Sequence, residues 1–187
     1  VGKTHMVADR PGMARLGIDP NSDIGIKVAQ CGFEPFERDD GLHPNSHRQG
    51  WSAYDDYLVA HGYESDNPWE DFANSGYDKD GNLVSGWLLE NSHLEANIPE
   101  EHSETAYMTN RAMEFMEGAM EDGRPWLCHL SYIKPHWPYI VPAPYHDMFG
   151  PEHVEAPIRS DGARHGGHPV LAAHRDIRVS QCFSRDH

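Results

Sequence analysis

Trp126-Leu127-Cys128-His129-Leu130-Ser131-Tyr132-Ile133 runs directly into Lys134-Pro135-His136-Trp137-Pro138-Tyr139, and the reading of this stretch decides the fold. Its first part is short and mostly apolar, as expected of a strand buried in a parallel sheet. Pro135 and Pro138 then stop ladder pairing, because proline offers no N–H to a neighbouring strand. Polar side chains therefore emerge at the carboxyl end of a sheet strand, the place where open α/β sheets hold their ligands. The same prolines stiffen the segment and lower the entropy of presenting His136.

Upstream, Ala106, Met113, Met116 and Met120 recur at steps of 7, 3 and 4, which predicts an amphipathic helix over residues 104–120 with its methionine stripe in the core. Ser103 supplies the cap and Gly123 the stop. A helix feeding a strand is half of an α/β unit. Further out, Ser52 caps a short helix that Gly62 ends, and Asp78-Lys79-Asp80-Gly81-Asn82 is a tight turn joining two short strands. Ile24, Ile26 and Val28 share a face at period two, which predicts a strand over residues 24–29. Residues 141–168, rich in Pro, Gly and His, read as surface loop, and residues 170–179 begin another helix.

Composition narrows the function. The 187 residues make one domain's length of chain, with 15 Lys and Arg against 30 Asp and Glu and a formal charge of −15. Leu, Ile, Val and Phe supply only 33 residues, but 5 Trp, 8 Tyr and 7 Met restore large side chains that can be buried, which suits a loop-rich globular protein. An acidic surface repels phosphate backbones, and no basic cluster is interleaved with aromatics, so nucleic acid is not an expected partner. No apolar run approaches the ~18 residues of a membrane span. Cys31, Cys128 and Cys182 lie far apart, which implies neither a zinc knuckle nor a disulfide framework. That cysteine usage favours a reducing, cytoplasmic compartment over a periplasmic or secreted one while leaving the compartment open. Val1 opens the chain without a basic and apolar leader, so the sequence reads as an interior piece.

Gly2-Lys3-Thr4-His5 places a cation and an imidazole two residues apart after a flexible glycine, so both side chains can point at one anion. Taken alone it reads more readily as solvated side chains at a strand end, whereas His136 alone reads equally as a structural histidine in a Pro-rich turn. Together the two segments resemble the sulfatase and phosphonate monoester hydrolase family of the alkaline-phosphatase-like superfamily. The first is similar to the Gly-Lys-x-His signature of sulfatases, and the second to the later family segment in which a helix feeds a strand ending in Pro-His-x-Pro.

That resemblance implies an α/β fold with a mostly parallel sheet flanked by helices, here incomplete, and makes residues 1–187 a partial catalytic domain truncated at both ends. It implies hydrolysis of a small-molecule sulfate ester through a formylglycine nucleophile and a divalent cation, Ca2+ ahead of Mn2+ or Mg2+. Lys3 would lie against a sulfate oxygen, His5 would hydrogen-bond the formylglycine hydrate, and His136 would support the leaving oxygen. Lys134 would meet the substrate or its rim. No cysteine heads the family's Cys/Ser-x-Pro/Ala-x-Arg motif, since Cys182-Phe183-Ser184-Arg185 lacks the Pro and brings its Arg one residue early. Asp39-Asp40 and Asp55-Asp56 follow the Gly-Lys block, whereas the family's acidic pair precedes it, and Asp186-His187 follows too closely on the Pro-His block. Nucleophile and metal ligands are therefore expected outside this chain, and the 187 residues alone are expected to be inactive.

Phosphonate monoesters and phosphodiesters are alternative substrates on the same scaffold, and an inactive member used as a scaffold is a third possibility. A different class is a His-rich, metal-capturing module using His43, His47, His165 and His168, although Pro44 and Gly166-Gly167 oppose the helices their spacing needs. Asp78 to Asn82 is not a calcium loop, because Gly81 as the turn glycine puts the outer ligand positions on Gly76 and Trp87.

Overall fold

The computed structural model describes residues 1–3, 8–39, 41, 52–156, 158 and 168–176. Helices α1 (Arg10–Arg15) and α2 (Asp23–Ala29) come first. Helix α2 replaces the strand expected over residues 24–29. The Ser22 hydroxyl accepts from the Gly25 N–H at 3.1 Å, and Asp23 places an acid in the first turn, so the local signals start a helix. The period-two apolar set has no sheet to lie on: Ile24 is 66% exposed and Val28 50%.

Helix α3 (Ala53–Ala60) starts at the expected Ser52 through a reciprocal capping box with Asp55, and Gly62 follows its end at φ +91°. Asp55 is fully buried. One carboxylate oxygen accepts from both the N–H and the hydroxyl of Ser52 at 2.9 Å, and the other from the Trp69 N–H at 3.2 Å. This ties α3 to a π-helical turn, Trp69–Ala73, whose Trp69 is fully buried. Asp55→Ala strands the Ser52 and Trp69 N–H donors, and the expected loss is about 3 kcal/mol. Urea denaturation is expected to show a lower midpoint at unchanged slope, with Asp55→Asn falling between the variant and the parent. An unaltered midpoint for Asp55→Ala would deny the tie any weight.

The expected turn at residues 78–82 joins β1 (Ser75–Tyr77) and β2 (Leu83–Ser85) as an antiparallel pair with Gly76 opposite Val84. The Asp78 carboxylate holds the turn by accepting from the Asp80 and Asn82 N–H groups at 2.9 and 2.8 Å. The mostly parallel sheet expected from the sequence is not seen among the described residues. Among the described residues the one sheet of regular strands is antiparallel, and parallel pairing is limited to isolated bridges, Gly2 with Ser131 and Glu95 with Val141.

Helix α4 (Glu104–Asp122) has the expected ends: the Ser103 hydroxyl accepts from the Ala106 N–H, and Gly123 closes it at φ +63°. Its buried face is not the expected methionine stripe. Glu104, Tyr107, Met108 and Ala112 face inward, while Met113 is 44% and Met120 72% exposed. Aromatic packing fixes the rotation, with the Tyr107 ring 5.1 Å from Tyr54 and 4.9 Å from Tyr57. The stretch after α4 is likewise not a buried strand, since Leu127 is 76% exposed and Ser131 alone makes a ladder contact. Beyond it the chain makes short 3-10 turns at Tyr145–Asp147 and Pro151–His153 before α5 (Pro169–Asp176). Tyr54, Leu58, Trp69, Tyr107, Met108 and Ile140 form the core under the hairpin and the first half of α4. Among the described residues no helix is long and apolar enough to cross a membrane.

Candidate active site

The opening segment lies beside the segment that leads to His136. The Ser131 N–H donates to the Val1 carbonyl at 3.0 Å and the Lys3 N–H donates to the Ser131 carbonyl at 3.3 Å, a parallel bridge centred on Gly2. Both strands run in the same direction toward the 134–138 loop. Glycine is needed at the contact: Gly2 has φ +93°, and a Cβ there would sit 1.9 Å from the Ser131 carbonyl oxygen. The Gly2 N–H is held on its other side by the Glu37 carbonyl at 2.8 Å.

Of the residues singled out in the sequence, His5 lies outside the described residues. The Lys3 ammonium nitrogen is buried, with no hydrogen-bond partner among the described residues. A buried cation without a partner is costly, so an anion that reached it would be held strongly. His136 stands at the loop tip, half-buried, with its ring 4.0 Å from that of Trp137. Its N–H donates to the Ile133 carbonyl at 2.9 Å. Its Nδ1 lies 2.7 Å from the Trp137 carbonyl oxygen, and since a carbonyl only accepts, Nδ1 carries a proton and Nε2 is the nitrogen left for chemistry.

Lys134 is turned inward. Its ammonium donates to the Pro138 carbonyl across the loop, and burial pushes it down to about 8 while the Glu104 carboxylate acts in the opposite direction. A cavity of about 450 Å³ beside it is lined by Glu104, Thr105, Thr109, Lys134, Ile140 and Tyr145. A larger cavity, about 860 Å³, lies along Gly2, Phe36, Phe115, Trp126 and Leu127. His136 lines neither.

Two contributors escaped the sequence reading. Glu104 is a buried acid in the first turn of α4, and no spacing rule connects it with Lys134, 30 positions later. Asp39 and Gly41 lie close to the bridge: the Asp39 carboxylate accepts from the Gly41 N–H at 2.7 Å, and a Cβ on Gly41 would meet Ile133 at 2.0 Å. The Asp39-x-Gly41 pattern, an acid two residues before a left-handed glycine, was the available signal.

Among the described residues no group of three or more His, Cys, Asp or Glu side chains could hold a metal ion, so they do not fit the divalent cation that the resemblance implies. His43, His47 and His165 lie outside the described residues, and His168 is exposed. Asp40, Cys182, Asp186 and His187 also lie outside them.

No family model matches the chain. It is 34% identical over 121 residues to the multifunctional alkaline phosphatase superfamily protein PehA of Trinickia caryophylli, covering 59% of this chain and 23% of that protein. The phosphonate monoester hydrolase of Silicibacter pomeroyi superposes with a TM-score of 0.58 at 25% identity, over 84% of this chain and 28% of that one. The chain thus spans about a quarter of the length of each. In sequence the chain is similar to an alkaline phosphatase superfamily protein, and in backbone to a phosphonate monoester hydrolase.

Proposed function

We propose that the protein hydrolyses small anionic esters, sulfate esters first, with Lys3, His5 and His136 on the wall that receives the anion. The observation that carries this reading is the parallel Gly2–Ser131 bridge, because it brings the segment of the buried Lys3 ammonium alongside the segment that ends in His136. Negative charge grows on the equatorial and leaving oxygens as such an ester breaks. Lys3 would neutralise an equatorial oxygen, and His136 in its imidazolium form would give its Nε2 proton to the departing oxygen, leaving the neutral ring with Nδ1–H on the Trp137 carbonyl. The formylglycine nucleophile and the divalent cation, Ca2+ ahead of Mn2+ or Mg2+, would be supplied from outside this chain.

A second reading, hydrolysis of phosphonate monoesters on the same wall, is supported by the backbone likeness to the Silicibacter pomeroyi enzyme. One assay separates them. The protein at its natural length, supplied with Ca2+, Mn2+ and Mg2+ in turn, is offered the p-nitrophenyl esters of sulfate, phenylphosphonate and phosphate diester. The sulfate ester is expected to give the highest kcat/KM, by about tenfold. A faster phosphonate ester would favour the second reading, and no turnover with any ester would end both.

A further inference from the structure

We infer that Lys134 is a positioning residue: its ammonium straps the loop that carries His136 to the Pro138 carbonyl instead of meeting the substrate. The role assigned to His136 rests on the ester-hydrolase reading, whereas the strap itself does not.

Both feet of the loop are fixed without Lys134. Ile133 is buried before it, and Pro138 and Ile140 are fully buried after it. The Tyr139 N–H donates to the Gly86 carbonyl at 3.2 Å, which joins the exit to the hairpin, and the Ala96 N–H donates to the Val141 carbonyl at 2.9 Å. Between these feet, His136 is half-buried and its ring leans on Trp137, itself 39% exposed, so ring stacking alone gives the tip little support. The bond from the Lys134 ammonium to the Pro138 carbonyl spans the tip from one side to the other. A charged donor on a carbonyl is among the stronger neutral-acceptor bonds and is stronger out of water.

Lys134 also has reason to stay there. Glu104 in the first turn of α4 faces it with opposite charge, which offsets part of the desolvation of the ammonium. To reach an ester, Lys134 would have to give up the Pro138 carbonyl and move against the attraction of Glu104. Lys3, which has neither kind of partner among the described residues, is the better placed cation for the anion.

The test uses the protein at its natural length, with Lys134→Met to remove the donor at similar length and Lys134→Arg to restore it. The ring signals of His136, read by NMR on histidine-labelled protein, are expected to move and broaden in Lys134→Met and to return toward the parent in Lys134→Arg. With the best ester, kcat is expected to fall about tenfold to a hundredfold in Lys134→Met with KM within about threefold. A substrate contact would raise KM instead and leave the His136 signals in place, and that result would overturn the strap. Should Lys134→Met fail to fold, Lys134→Arg decides: His136 ring signals and kcat near those of the parent are expected, and a KM raised more than about threefold with those signals in place would overturn the strap. Moved His136 signals in a protein whose parent cleaves no ester would refute the hydrolase reading and leave the strap standing.

Discussion

Replacing Gly2 with Ala is expected to destabilise the protein by about 4 kcal/mol, seen as a lower urea midpoint and as loss of ester turnover at temperatures the parent tolerates. Two costs combine. At φ +93° an alanine pays about 1–2 kcal/mol for left-handed backbone. Its methyl would also sit 1.9 Å from the Ser131 oxygen, a backbone atom that cannot swing aside. The strands must separate, and the bonds from Lys3 N–H to Ser131 and from Ser131 N–H to Val1 go with them, at about 1 kcal/mol each. An Ala variant as stable as the parent would mean that these two segments are not paired in solution. The same result would remove the support for the proposed function, since the bridge is what lays the segment of Lys3 beside the segment that leads to His136.

His136→Ala is expected to lower kcat by a hundredfold to ten-thousandfold, the usual range for a lost general acid. The size should depend on the ester. A p-nitrophenolate departs without help, so esters of that alcohol sit at the low end, and alkyl esters, whose alkoxide needs a proton, at the high end. The comparison is made by measuring kcat for both ester types in the parent and the variant. An equal loss with both would show that His136 does not act on the leaving oxygen, whatever else it contributes. Fold and stability should change little, because His136 is half-buried, its ring bonds the neighbouring Trp137 carbonyl, and its backbone bond to Ile133 survives in alanine.

Local signals were legible in the sequence because they act within a few residues. Ser52 and Ser103 cap their helices, Gly62 and Gly123 sit at the ends, and Asp78 to Asn82 turns the hairpin. Periodicity misled where burial depended on distant partners. Ile24, Ile26 and Val28 alternate as in a strand, yet the Ser22 cap and Asp23 decide for a helix. The methionines of α4 mark a regular apolar stripe, but the aromatic pair Tyr54 and Tyr57 draws Tyr107 and Met108 inward instead. The parallel sheet was inferred from an apolar run, and that run makes only one bridge among the described residues. For the site, residue types and order suggested that the opening tetrapeptide lies near the Pro-His loop, and its described Gly2 bridges Ser131 ahead of that loop. The electrostatic influence of Glu104 on Lys134 was not legible, because an attraction across 30 positions leaves no pattern in composition or spacing.

Helix α4 is held unevenly. Every one of its buried residues lies between Glu104 and Ala112, and the ten positions from Met113 to Asp122 contribute none. Past Ala112 it is held by the ring of Phe115 against Phe36 and Trp126 rather than by the core, so bending is expected to grow toward its far tip while the clamped end stays quiet. Glu104, which faces Lys134, sits at the quiet end.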